Sequence, residues 1–222
     1  MTLQELSVEF DILFNNISSN QAPGLSEYEK SVFLTQAMEA VILDLYKGTG
    51  GDSFESTEEL TRYLNTLVKT GNVNVSELTT DDNPIFEGKT FKADLSNVDG
   101  LWFIVYQAAE VNNKKILATP TTLDKVYKKL QNPFTRSNDD RILVLFQENA
   151  AYLISDVKPT KYYIKYLSRP KPIILENLDG LSINNISSYE ENTELSDIVP
   201  ETLHRSILLR AIQLAQMVWK QS

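Results

Sequence analysis

Apolar residues near the start of the chain recur at three- and four-residue steps: Leu3, Leu6, Phe10, Leu13, Phe14 and Ile17. That spacing predicts a helix with these residues on one face, opened by a capping box of Thr2 and Glu5. The polar cluster, Pro23 and Gly24 of "SSNQAPGL" end it. A second capping box, Ser26 with Glu29, precedes Val32, Phe33, Met38, Val41, Ile42 and Leu45 at helical spacing. Lys47 and Gly48 supply a basic last turn and a left-handed stop. After the loop "GTGGDSF", Ser56 and Glu59 open a third helix through Leu60, Leu64, Leu67 and Val68, closed by Gly71.

Beyond residue 71 the period shortens to two. "VNVSEL" is a weak strand and "TFKADL" a clearer one, with Phe91, Ala93 and Leu95 alternating. "GLWFIVYQAAEV" is rich in aromatic and β-branched residues, as a well-buried strand is. "KKILATP" predicts a strand ended by Pro120, and "TTLDKVYKKL" a short helix capped by Thr121 or Thr122. "NPFTRSNDD" is a loop, and "RILVLFQENAAYLISD" two strands about a tight turn at Glu148 and Asn149. The last strand, "TKYYIKYL", puts Tyr162, Ile164 and Tyr166 on one face. Pro170 and Pro172 then end the sheet near Ser168, because they lack N–H donors and hold Arg169 and Lys171 extended. A final helix starts at Pro200, with Leu203, Ile207, Leu208, Ala211, Leu214, Ala215 and Val218 forming a wide apolar face.

The order helices, strands, extended arm, helix predicts an α+β fold: N- and C-terminal helices packed together, with an inserted, mostly antiparallel β-sheet. On this reading residues 1–222 form a single domain. Residues 1–71 are helical, 72–168 are an inserted β-rich region with one short helix, and 169–222 are an extended arm and C-terminal helix.

Composition narrows the chemistry. The 222 residues include no cysteine and one histidine, His204, which removes disulfides, thiolate metal sites and most His-based triads. A formal net charge of −9 disfavours a grip on phosphate backbones but suits a wall that DNA slides past. The acidic N-terminal stretch lacks the basic leader of a signal peptide, and no apolar run has the length of a membrane span. A soluble product made in a cytoplasm is the expectation.

Candidate sites mostly dissolve on inspection. His204 lies beside Arg205 on a helix and has no partners for acid–base work. "YKGTGGDS" lacks the Gly-Lys-Ser/Thr ending of a phosphate loop. "DDNP" (81–84) and "NDD" (138–140) do not have calcium-loop spacing, and the acids of "ESTEE" suit a helix's first turn. "KVYKKLQ" is a compact basic patch of the kind an exposed helix face carries. "SRPKPI" fits a structural arm between a strand and "IIL" better than a polyproline ligand. No nucleophile–base pair, metal cluster or cofactor site emerges, so an interaction or structural protein is expected rather than an enzyme.

Several stretches together resemble one family. "LSEYEKSVFLTQAMEAVILDLYKG", near "FNNISSNQAPG", is similar to its N-terminal helices. "LATPTTLDKVYKKLQNPFTR" resembles its middle, "YYIKYLSRPKPIIL" the end of its sheet, and "VPETLHRSILLRAIQLA" its final helix. The family is the head–tail connector (ring or adaptor) virion proteins of crAss-like tailed bacteriophages, and the likeness runs in order from about Leu3 to about Gln216. The resemblance implies a homo-oligomeric ring beneath the portal that extends the DNA channel and gives later tail rings a docking platform. It implies no catalysis, no cofactor, no membrane and no sequence-specific hold on the passing DNA. In such a ring the stiff stretch Arg169, Pro170, Lys171 and Pro172 is a candidate inter-subunit or inter-ring contact, with both cations offered to an acidic neighbour. Two other classes stay open: a cytoplasmic partner-binding adaptor or regulatory protein using an exposed aromatic sheet face, and a carboxylate-only metal-dependent nuclease.

Overall fold

A computed structural model describes residues 1–17, 24–47, 54–78, 90–138, 140–178, 180–186 and 194–219. In chain order the elements are α1 (Leu3–Ile17), α2 (Glu27–Tyr46), α3 (Phe54–Leu67), β1 (Val68–Glu77), β2 (Thr90–Asp94), β3 (Leu101–Val111), β4 (Lys114–Thr121), α4 (Leu123–Gln131), β5 (Arg141–Gln147), β6 (Ala150–Ile154), β7 (Lys161–Ser168) and α5 (Glu201–Trp219). They fall into two units: a helical one, Met1–Leu67 with Arg169–Ser222, and a β one, Val68–Ser168.

In the helical unit two of the three predicted capping boxes form. Thr2 Oγ1 accepts from Glu5 N–H at 3.2 Å, and Ser26 Oγ accepts from Glu29 N–H at 3.3 Å, with each glutamate returning to the cap's own N–H. Leu3, Leu6, Phe10 and Phe14 bury one face of α1. In α2 the buried face is displaced from the apolar residues expected there. Lys30, Ser31, Leu34, Thr35, Ala37, Met38 and Ile42 point inward, while Val32, Phe33, Val41 and Leu45 are half-buried. The cause lies in the extended arm, whose backbone needs the Ser31 and Thr35 hydroxyls. Leu203, Ile207, Leu208, Ala211, Ile212 and Ala215 of α5 are buried, and α5 lies along α2 and touches α1. Pro200 precedes α5 rather than opening it, and Val218 is exposed. α3 begins at Phe54, so Ser56 lies within the helix rather than opening it; Gly48 and the side chains of Ser56 and Glu59 lie outside the described residues.

The β unit corrects the expected sheet: its seven strands close into a barrel in the order β1-β2-β6-β5-β4-β3-β7. Closure comes from β1. The third helix does not run to Gly71; it stops at Leu67, and Val68 begins a strand that pairs with β7 from Val68↔Leu167 to Asn74↔Lys161. Gly71 is a flat strand residue opposite Ile164. A Cβ there would lie 3.4 Å from Ile164 Cγ1 and 3.5 Å from Tyr166 Cε1, ordinary contact distances, so the position does not demand glycine. Neighbouring strands are antiparallel except β4 and β5, which are parallel and joined through α4, the crossover that a parallel pair requires.

Two strands depart from expectation. Pro120 does not end β4; it pairs with Val144 in the parallel ladder. It sits beyond the last β3–β4 pair, Ala108↔Leu117, so on that side there is no ladder for its missing N–H to interrupt. β3 is buried only at Gln107–Ala109, and Phe103, Val105 and Tyr106 are exposed. Its first half runs past the β4 pairing and carries two register shifts against β7, which break the inward–outward alternation.

The barrel interior holds Val75, Ala93, Ile116, Ile142, Val144, Leu153 and Ile164 with Tyr162 and Tyr166. The Tyr162 hydroxyl donates to Gln107 Oε1, and that of Tyr166 to the Asp99 carbonyl at 3.1 Å. Outside the barrel, Val126 of α4 covers Leu143 and Ile154, which explains the unbroken apolar run of β5. The two predicted turn residues join β5 to β6, with Glu148 in the left-handed region at φ 51°.

Candidate assembly interface

The arm from Arg169 is extended and fastened to α2 through side chains. Ile173 N–H donates to Thr35 Oγ1 at 3.1 Å, and Leu175 N–H to Ser31 Oγ at 3.0 Å. The Thr35 hydroxyl donates back to the Ile173 carbonyl at 3.3 Å, and that of Ser31 to the Glu27 carbonyl at 2.7 Å. Pro170 and Pro172 are buried in this unit, whereas Arg169 and Lys171 are exposed. Arg169 Nε lies 3.4 Å from Glu39 Oε1, and its Nη1 donates to Asn184 Oδ1 at 3.3 Å. Asn184 Nδ2 in turn donates to Glu39 at 2.9 Å. The four predicted contact residues therefore divide: two prolines are buried and fix the backbone, Arg169 is exposed but tied back to Glu39 and Asn184, and Lys171 is exposed.

Lys171 and Pro170 border a groove of about 490 Å³ with Tyr63, Thr66, Asp197 and Pro200. There the Tyr63 hydroxyl donates to the Ile198 carbonyl at 3.3 Å, and burial pushes its pKa up to about 12. His204 is buried, and its Nε2 donates to the Val199 carbonyl at 3.0 Å, which ties the start of α5 to the residues before it. In the basic patch, Lys125 and Lys128 are exposed and Lys129 Nζ donates to the Pro120 carbonyl at 3.2 Å. Asp140 is ion-paired with Lys114 at 2.9 Å, which holds its carboxyl below the usual range. Residues 48–53 and 81–84 lie outside the described set. Among the described residues no three His, Cys, Asp or Glu side chains gather as a metal site, and no helix is long and apolar enough to cross a membrane.

Sequence reasoning missed Ser31 and Thr35, whose four-residue spacing on α2 was the available signal. It also missed Phe134, exposed at the tip of the "NPF" loop.

A family model described as phage tail ring protein 3/4 matches residues 1–222. The chain is 38% identical over 228 residues to ring protein 3 of Bacteroides phage crAss001, across 97% of this chain and 95% of that one. It is 30% identical over 233 residues to ring protein 4/5 of the same phage, across 99% and 94% respectively. The chain belongs to the phage tail ring protein 3/4 family of crAss-like phages. It is a structural virion protein and not an enzyme, which displaces the adaptor and nuclease alternatives.

Proposed function

We propose that this chain forms a homo-oligomeric ring between the portal and the tail, extends the DNA channel and gives further tail ring proteins a platform to dock on. The observation that carries the reading is likeness to ring proteins along essentially the whole chain, helical unit and barrel alike. A net charge of −9 fits a channel wall that repels passing DNA rather than binding its sequence. Assembly takes place in the bacterial host cytoplasm, from which the ring enters the virion. In the ring, Arg169 and Lys171, held at the surface by the buried Pro170 and Pro172, meet acidic groups of a neighbouring subunit or ring.

Quantitative mass spectrometry of purified particles, scaled to the portal protein, tests the placement. A copy number close to the portal's is the expected result. Hundreds of copies per particle would put the chain in the capsid or tail tube instead, and its absence would end the ring reading.

A further inference from the structure

A ring closed by rotation uses two different surfaces of the same chain, one for each neighbour. Two features fit such a pair, one protruding and one recessed.

The protruding feature is the loop after α4. Phe134 is 86% exposed, the most open of the large apolar side chains among the described residues. Its backbone is nevertheless held on all sides. Phe134 N–H donates to Asn132 Oδ1 at 2.9 Å, and the N–H groups of Thr135 and Arg136 donate to the Asn132 carbonyl at 3.1 and 3.0 Å. Thr135 Oγ1 donates to the Lys129 carbonyl at 3.0 Å, and Arg141 Nη1 to the carbonyl of Phe134 itself at 3.0 Å. An aromatic ring on a fixed backbone has only its own side-chain torsions to lose on docking, which suits an anchor. Residues 123–140 carry Lys125, Lys128, Lys129 and Arg136 against Asp124, Asp139 and Asp140, and Asp140 is taken up by Lys114, in a chain that is acidic overall.

The recessed feature lies between α1 and α5, a groove of about 680 Å³. Ile12, Leu13, Leu208 and Leu209 form its apolar lining; Ile12 is 54% and Leu209 41% exposed. Glu9 and Glu201 flank it, with Arg205 as the countercharge, and Glu5 and Val8 continue it along α1. α1 carries three acids and neither Lys nor Arg. Val8 and Ile12, four residues apart, form a second apolar stripe outside the one that α1 buries, and such a stripe on a helix marks a partner.

We propose that Phe134 of one copy seats in the α1–α5 groove of the adjacent copy, with Lys125, Lys128 and Arg136 facing Glu5, Glu9 and Glu201. The proposal rests on the ring reading above and names its subunit contact. The occupant is a second copy because the knob is basic and aromatic, the groove is acidic and apolar, and both recur on every subunit.

The chain has no cysteine, so introduced thiols report without background. Full-length Pro133→Cys and Arg205→Cys proteins, which keep Phe134 and the apolar lining of the groove, can form a mixed disulfide only between copies when mixed under mild oxidation. We expect it at least tenfold above either homodimer, and a ladder of linked oligomers from the double variant. Phe134→Asp should keep the wild-type melting temperature and lower oligomer formation at least tenfold by sedimentation velocity. Wild-type oligomers without the mixed disulfide overturn this contact and leave the ring reading standing. A wild-type chain that stays monomeric, gives no mixed disulfide and is absent from particles overturns both. A double variant that links only within one chain also overturns the contact.

Discussion

Lys30 is an ammonium 3% exposed, and three oxygens hold it: Asp11 Oδ2 at 2.6 Å, Glu27 Oε1 at 2.8 Å and Ser7 Oγ at 3.2 Å. Burial alone would lower its pKa and is the largest single influence. The bonds and charges of Asp11 and Glu27 together outweigh it, so the net direction is upward from the ordinary 10.5. A raised folded-state pKa gives stability that is complete below the unfolded value and lost as pH climbs through the folded one. At pH 7 the triad contributes in full. Lys30→Met keeps the aliphatic stem and strips the charge, leaving two carboxylates that are 46% and 32% exposed and so keep part of their water. We expect a loss of about 1–3 kcal/mol in urea unfolding at pH 7, less than for a fully buried pair. The gap from wild type should narrow as pH passes 10.5. A change below about 0.5 kcal/mol would make the triad no more than a surface ion pair. The sequence hides this residue because a helical period of apolar positions passes over a lysine. Lys30, Ser31, Leu34, Thr35 and Met38 share the same spacing, and their burial depends on what the rest of the chain lays against α2.

At the scale of elements, the arm fits α2 by arithmetic. Two residues of extended chain advance about 6.6–6.8 Å, and four residues of helix about 6 Å. Hydroxyls at Ser31 and Thr35 therefore reach alternate N–H groups at Leu175 and Ile173, running in opposite directions. Pro170 and Pro172 bring no donors of their own, so the arm enters this docking with fewer backbone groups to satisfy. Thr35→Val strands the N–H and carbonyl of Ile173 in a buried position, and Ser31→Ala strands the N–H of Leu175. Each should cost about 1–3 kcal/mol. Amide exchange should quicken at 173 and 175 while the barrel amides keep their protection; unchanged exchange at both positions would show that the hydroxyls do not hold the arm. The prolines made the arm's conformation, and the end of β7 at Ser168, legible in the sequence. The arm's partner was not, because two hydroxyls on a helix look solvent-facing until a strand-like segment arrives. The barrel was hidden for a related reason. Its closing strand begins at Val68, inside an apolar helical period, and only pairing with β7, about a hundred residues on, overrides that local preference. A loop phenylalanine has no period to mark it, so nothing in the pattern around Phe134 separates it from a core residue.

At the scale of the whole molecule, the barrel has the connectivity of an insertion. Its first and last strands are neighbours: Val68 pairs with Leu167, so the chain enters and leaves at adjacent points of one ladder, where strands lie about 4.7–4.9 Å apart. Every strand finds both neighbours within Val68–Ser168, and the interior is filled by residues of that same span. Closure of this kind needs no edge from elsewhere in the chain. Leu67 and Arg169 are joined to those adjacent ends, so a short linker can replace the barrel at a loop-closure cost that grows only slowly with length. Two matched pieces follow: residues 68–168 alone, and the helical unit with a Gly-Ser linker in their place. The first should give a β-type circular dichroism spectrum and one cooperative thermal transition, and the second should remain helical with its own transition. A barrel piece without a cooperative transition, or a helical piece that binds a dye for exposed apolar surface and melts without a midpoint, would mean that each unit needs the other to fold. If both fold, the Phe134 knob and the α1–α5 groove become separable, because they lie on different pieces. Mixing the barrel piece with the helical piece should then reproduce the knob-in-groove contact in trans, observable as a complex that Phe134→Asp abolishes. That complex should also weaken with added salt, since the facing lysines and glutamates lie at a solvent-accessible rim; salt-independent binding would leave the aromatic anchor without its electrostatic frame.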